Sequence, residues 1–315
     1  MTQHLAFIAL ALVMLFVGAE SLVRGSASLA LRGGLSRLMV GLTIVAFGTS
    51  SPELVVSLEA ALSGQGDIAV GNVIGSNSFN IGVILGVAAL VCPIPVHRQI
   101  IKIDAPIALS VALLLPLFLR DQTIGRVEGT LLAAGIIAYT WLNAVRARKE
   151  TETAALSGDD VTLPAVSGHW GKDIAFIVGG LGVLVLGSHL LVEHSVALAS
   201  QFGVSEAVIG LTIVAAGTSM PELATSLIAA VRKQPDIAVG NVVGSNVFNI
   251  LGILGLSSVV SPLHAPGVST LDAVTMIVFT VLLIPLLYTG RLLHRLEGFV
   301  LLGSYCLYVV TRWPQ

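Results

Sequence analysis

The chain has 315 residues, 55% of them hydrophobic and 11% charged, with a mean hydropathy of +0.94. A soluble domain carries about 25% charged residues, so the composition excludes one and points to a polytopic membrane protein. The formal net charge of -2 gives no reason to expect a nucleic-acid partner.

A span needs about 20 apolar residues. The first candidate, 4–31, follows Thr2, Gln3 and His4, a poor start for a secretory signal, and its apolar run outlasts one. It reads as a retained helix. Segments 36–62, 68–92, 101–119 and 126–146 come next. The polar stretch from Arg146 to Lys172 (RARKETETAALSGDDVTLPAVSGHWGK) is too short for a domain and reads as a linker. Segments 172–201, 205–231, 237–261, 269–289 and 293–311 complete the set. Cys92 and Cys306 lie in or beside apolar segments and read as small hydrophobes.

Gly41 to Gly86 and Gly210 to Gly255 are near copies, offset by 169 residues without a gap, with 33 of 46 positions identical. Five spans is an odd number, so a duplicated second half enters the membrane from the opposite side. The basic residues fit an outside N-terminus. Arg32, Arg37, Arg98, Lys102, Arg146, Arg148, Lys149, Lys172, Arg232, Lys233, Arg291 and Arg295 then lie inside, and only Arg120, Arg126 and Arg312 outside. The expected fold is therefore an all-α membrane protein of ten transmembrane helices. It consists of two inverted five-helix repeats, 1–147 and 172–315, joined by a cytoplasmic linker, 148–171. Both termini lie outside, and the second and seventh helices are broken. Such repeats are a signature of secondary transporters.

At the same offset Glu20 and Arg24 align with His189 and Glu193, two ionisable groups four residues apart in each copy. The favoured reading is a pair near the membrane edge that neutralises itself; the other is that these groups steer a sliding of the first and sixth helices.

Within the copies, GTSSPE brackets a helix break. Pro52 lacks an N–H and clashes with the preceding turn, which frees carbonyls near Gly48 and Thr49. Free carbonyls at membrane depth must line a cavity or meet a ligand. Pro52 also opens a new half-helix, and Glu53 sits in its first turn near the positive dipole end. Ala46, Thr49, Ser50 and Glu53 gather at this break, and Ala215, Thr218, Ser219 and Glu222 at the second. GNVIGSNSFNIG supplies a facing helix with Asn72, Ser76 and Asn80 on one side; Asn241, Ser245 and Asn249 mirror them. Gly71 with Gly75, and Gly240 with Gly244, allow close helix approach. Every group offered is an oxygen, the set that hard cations take and zinc or copper do not. A lone Ser or Asn in a membrane helix is usually interhelical glue. Two mid-membrane carboxylates in matching motifs are not so explained, because a carboxylate in hydrocarbon is costly unless it binds something. If both ionise, one Ca²⁺ or two Na⁺ cancel their charge, and an oxygen cage sized for Ca²⁺ also takes Na⁺.

These residues resemble the alpha repeats of the calcium/cation antiporter superfamily, most closely its prokaryotic sodium/calcium exchanger branch. The resemblance implies that Glu53 and Glu222 are the central cation ligands and that backbone oxygens of Thr49 and Thr218 complete a Ca²⁺ site. It implies Na⁺ sites using Ala46, Ser50 and Ser76 on one side and Ala215, Ser219 and Ser245 on the other, with Asn80 and Asn249 flanking the middle. Potassium-dependent members carry Asp where Asn249 stands, which argues against K⁺ co-transport here. The Gly-Asn-x-x-Glu pattern usual in the proton-coupled branch is absent.

The expected function is Na⁺/Ca²⁺ antiport across a prokaryotic cytoplasmic membrane, with Ca²⁺ and Na⁺ as substrates, the bilayer as surroundings, no cofactor and no obligatory protein partner. The alternatives are a H⁺/Ca²⁺ antiporter and, further off, a cation channel with a carboxylate ring. A hydrolase using Ser50 or Ser219 fails on its parts: no motif ties His189 or His194 to either serine, and no Gly-x-Ser-x-Gly elbow occurs.

Overall fold

A computed structural model describes residues 2–33, 35–156, 170–202 and 215–312. The first half comprises α1 (Thr2–Gly33), α2 (Arg37–Thr49), α3 (Ser51–Leu62), α4 (Gly66–Val91), β1 (Ile94–Pro95), α5 (Ile100–Phe118), β2 (Thr123–Ile124) and α6 (Arg126–Leu156). The second comprises α7 (Trp170–Gln201), α8 (Ala215–Thr218), α9 (Met220–Val231), α10 (Pro235–Val260), β3 (Leu263–His264), α11 (Thr270–Tyr288), β4 (Leu292–Leu293) and α12 (Arg295–Arg312). From α3 and α9 onward most element starts repeat at the 169-residue offset.

Among the described residues seven helices are long and apolar enough to cross a membrane, and α2 with α3 makes an eighth if that bent pair is one span. This is a helical membrane protein. The count stops short of ten: of the expected segment 205–231, residues 205–214 lie outside the described residues, and α12 does not meet the same test of length and apolarity. The all-α expectation also needs amending. Ile94 pairs with Leu293 and Pro95 with Leu292, while Thr123 pairs with His264 and Ile124 with Leu263, both antiparallel. Each two-residue ribbon ties a loop of one half to a loop of the other. A further difference is α6, which runs to Leu156 instead of ending near Arg146. Its extension, ARKETETAAL, is mostly Ala, Glu, Arg, Lys and Leu, strong helix formers even where polar.

At the centre lie α4 and α10, the latter buried without interruption from Ile237 to Gly255. Lipid provides no hydrophobic drive for helices to associate, so close packing of small residues must do it. A Cβ on Gly244 would stand 2.6 Å from the Leu42 carbonyl oxygen, so only glycine lets α10 lie this close to α2. The residues corresponding to this stretch of α2 in the second half lie among those not described. At the periphery α1 packs along α7, and a Cβ on Gly18 would meet the Gly180 carbonyl oxygen at 2.9 Å.

Glu20 pairs with Arg24 as the spacing suggests, and Arg232 at the end of α9 joins them at 2.7 Å. The second copy does not do the same. His189 and Glu193 are both exposed, and no ion pair joins them among the described residues.

Candidate cation site

Both helix breaks form where the Pro-Glu motifs stand. Ser50 leaves helical geometry at φ -81°, ψ 10°, and Ser219 at φ -88°, ψ 9°. Pro52 and Pro221 open the helices beyond, and Glu53 and Glu222 lie in their first turns. At the first break α2 and α3 diverge by 47°.

The breaks interlock. Ser50 donates to Glu222 Oε1 at 2.8 Å, and Ser219 donates to Glu53 Oε1 at 2.9 Å. Each carboxylate is thus held by the serine of the other half. Both glutamates are buried, 0% and 1% exposed, and close enough for their charges to interact. Thr218 and Thr49 stand beside Glu53 and Glu222 respectively. Thr49 also donates to Asn241 Oδ1 at 3.1 Å.

The facing helices α4 and α10 fix the half-helices. Asn72 donates to the Glu53 carbonyl at 3.1 Å and to Ser57 Oγ at 2.9 Å. Asn241 donates to the Glu222 carbonyl at 3.4 Å and to Ser226 Oγ at 2.9 Å. The amides of Asn72 and Asn241 therefore position the backbone of each glutamate. Deeper in, four asparagines clasp α4 to α10. Asn77 donates to the Asn246 carbonyl at 3.1 Å and Asn246 to the Asn77 carbonyl at 3.3 Å. Asn80 donates to Asn246 Oδ1 at 2.9 Å, and Asn249 to Asn77 Oδ1 at 3.0 Å. Asn80 and Asn249 each open a π turn, Asn80–Leu85 and Asn249–Leu254; such turns often mark functional positions.

Several buried atoms are left over. Glu53 Oε2, Glu222 Oε2, Ser76 Oγ, Asn80 Oδ1 and Asn249 Oδ1 have no hydrogen-bond partner. An unmet buried polar group costs about 1–3 kcal/mol, and more when charged. No Lys, Arg or His pairs with either glutamate among the described residues. The amide nitrogens of Asn80 and Asn249 are spent on the clasp, so their free atoms are acceptors. The remaining expected residues take lesser or partial parts. Ser245 donates to the Ala46 carbonyl at 3.5 Å, which also accepts from the Ser50 backbone N–H at 3.0 Å. Ala215 begins the described part of α8, and its side chain lies outside the described residues.

Sequence reasoning missed Ser57, Ser226, Asn77 and Asn246. All four recur at the 169-residue offset, and that recurrence was the signal available. No group of three or more His, Cys, Asp and Glu side chains suited to a metal occurs among the described residues. The site offers only two carboxylates and otherwise neutral oxygens, a composition for hard cations.

Comparison with known proteins agrees with this chemistry. The family model described as sodium/calcium exchanger protein matches residues 3–145 and 172–313. The putative antiporter CaxA of Alkalimonas amylolytica is 39% identical over 304 residues, covering 95% of each chain. The sodium/calcium exchanger MaX1 of Methanosarcina acetivorans is 33% identical, covering 98% of each. Among solved structures, the sodium-calcium exchanger NCX_Mj soaked with 2.5 mM Na⁺ and 0.1 mM Ca²⁺ superposes with a TM-score of 0.83 at 28% identity, covering 98% of each chain. The chain belongs to the sodium/calcium exchanger protein family.

Proposed function

We propose that this protein is a Na⁺/Ca²⁺ antiporter of a prokaryotic cytoplasmic membrane, working by alternating access at a mid-membrane site centred on Glu53 and Glu222. The observation that carries the proposal is the pair of buried carboxylates, each held through Oε1 by the other half's serine and each left with a free Oε2. Ca²⁺ takes six to eight oxygens in flexible geometry. The free oxygens of Glu53 and Glu222, with backbone oxygens of Thr49 and Thr218, are its ligands. Ala46, Ser50, Ser76 and Asn80 with Ala215, Ser219, Ser245 and Asn249 form the overlapping Na⁺ positions.

Two buried carboxylates with no counter-charge resist closure while empty. Occupancy by Ca²⁺ or by Na⁺ cancels that cost, so the protein changes sides only when loaded, which is exchange. The proposed architecture is ten spans in two inverted five-helix repeats, 1–147 and 172–315, with the 148–171 linker inside and both termini outside. The excess of basic residues on the linker side supports that orientation.

The test is ⁴⁵Ca²⁺ uptake into proteoliposomes under Na⁺, H⁺ or K⁺ gradients imposed one at a time. Uptake driven by the Na⁺ gradient alone is expected. Uptake driven only by the pH gradient would replace this reading with a H⁺/Ca²⁺ antiporter.

A further inference from the structure

Near the start of α1 and the end of α7, away from the cation site, two imidazoles meet. The Nδ1 atoms of His4 and His194 lie 3.1 Å apart. Both rings are half-buried and oriented by neighbours. Phe7 stacks on His194 with ring centroids 4.4 Å apart and planes 15° apart. Gln201 places its amide nitrogen 3.2 Å from His4 Nε2. An amide nitrogen only donates, so His4 Nε2 accepts, and in the neutral ring the proton sits on Nδ1, aimed at His194.

The other end of the same helix pair supplies a control. Shifted by 169 residues, His4 corresponds to Asp173, Gln201 to Arg32 and His194 to Gly25. There Asp173 forms a salt bridge with Arg32, and Gly25 lies against the Asp173 carbonyl. So α1 and α7 are clamped at both ends by corresponding positions. One clamp is a charged pair. The other is two imidazoles and an amide, nitrogen ligands that neither the fold's repeat nor the cation site calls for.

We propose that His4 and His194 form a binding site for a borderline divalent transition metal such as Zn²⁺, which fastens α1 to α7 at this end and restrains transport. Two imidazole nitrogens bound to one tetrahedral Zn²⁺ at 2.0–2.1 Å stand about 3.3 Å apart, so the pair opens by only about 0.2 Å to admit it. The His4 proton moves from Nδ1 to Nε2, and Gln201 turns its carbonyl to accept it, a common outer-shell arrangement for a metal-bound histidine. Both rings stay neutral and water fills the remaining positions. Ca²⁺ and Na⁺ favour oxygen, so the transported ions leave this pair alone. The restraint reaches the cation site through α7. Ser188 of α7 donates to the Gly217 carbonyl at one break, and Leu181 packs against Gly48 at the other.

The flux readout of this proposal rests on the antiport reading; the binding readout does not. Zn²⁺ binding to the purified protein is measured by calorimetry in wild type, His4→Gln, His194→Gln and Glu53→Gln/Glu222→Gln. One Zn²⁺ per chain is expected in wild type and in the glutamate variant, with affinity about tenfold or more weaker in each histidine variant. Zn²⁺ is expected to slow Na⁺-driven ⁴⁵Ca²⁺ uptake in wild type only, and without Zn²⁺ the histidine variants keep wild-type flux. Unchanged Zn²⁺ affinity in either histidine variant overturns the site, as does its loss in the glutamate variant. Zn²⁺ binding by a protein that shows no Ca²⁺ flux would overturn the antiport reading and leave the metal site standing.

Discussion

The α4–α10 pair and the α1–α7 pair each join one half of the chain to the other, yet the copies have diverged to different degrees. Along α4 and α10 every polar residue of the site recurs: Asn72 and Asn241, Ser76 and Ser245, Asn77 and Asn246, Asn80 and Asn249. Along α1 and α7 corresponding positions hold different chemistry, Glu20 against His189 and His4 against Asp173. The hydrogen bonds explain the contrast. Between the central helices Asn77 and Asn80 of one half donate to the other, and their copies Asn246 and Asn249 make the reverse bonds. Changing Asn77 or Asn246 breaks two bonds at once and leaves a partner in the other half unmatched. The peripheral pair is held by backbone proximity at Gly18 and Gly180 and by separate clamps at its ends, which tolerate independent change.

The largest effect that tests this equivalence comes from the carboxylates. Glu53→Gln and Glu222→Gln should each cost about 3–5 kcal/mol of ion binding, two or more orders of magnitude in Ca²⁺ flux at limiting Ca²⁺. The two losses should match to within about tenfold. Full activity in either variant would remove that glutamate from the site, and one mild loss beside one severe loss would end the symmetric reading.

The crossed serines come next. Ser50→Ala and Ser219→Ala each delete a hydrogen bond to a buried carboxylate, worth about 1.5–3 kcal/mol. Ca²⁺ affinity, read from the concentration dependence of uptake, should fall by roughly one to two orders of magnitude. The double variant sharpens the comparison: losses that merely add would mean that the two breaks act independently.

Packing gives a smaller effect. Gly18→Ala should destabilise the α1–α7 contact by about 1–3 kcal/mol, because the Gly180 carbonyl stands 2.9 Å from the new Cβ. Gly244→Ala, with a carbonyl at 2.6 Å, should lower the melting temperature further and depress flux as well. If Gly18→Ala costs more flux than Gly244→Ala, the periphery and not the centre governs exchange.

How far the residues alone disclosed this arrangement follows the same division. The breaks, the glutamates in their first turns and the oxygen-only set were legible, because a carboxylate beside proline in an apolar duplicated stretch has few other uses. The amide clasp was not. Asn77 and Asn246 read as ordinary helix glue until their partners across the interface are known, and those lie 169 residues away. The ribbons were hidden likewise, since Ile94 meets Leu293 only after both halves assemble. A π turn hid one correspondence altogether. Tyr139 donates to Asp104 at 3.1 Å, and Tyr308 to Asp272 at 2.7 Å. The tyrosines keep the 169-residue offset, whereas the aspartates fall one residue short of it. The extra residue sits in the π turn Ile100–Asp104 of α5, which α11 lacks; a gapless alignment cannot see it.

The smallest expected effect concerns the cross-link between periphery and centre. Arg232 at the end of α9 reaches Glu20 of α1 at 2.7 Å, with its side chain 49% exposed. Solvent screens such a pair, and Arg24 already binds the same carboxylate, so Arg232→Gln should cost no more than about 0.2–1 kcal/mol. Its counterpart in the first half is Ser63, which has no charge to offer His189, so the second half manages without such a link. If the pair only decorates the surface, Arg232→Gln leaves Ca²⁺ flux unchanged and shifts the melting temperature by a few degrees at most, less in high salt. A clear change in flux at unchanged stability would mean instead that α1 is tethered to the half-helix carrying Glu222, and that the peripheral pair takes part in the exchange cycle.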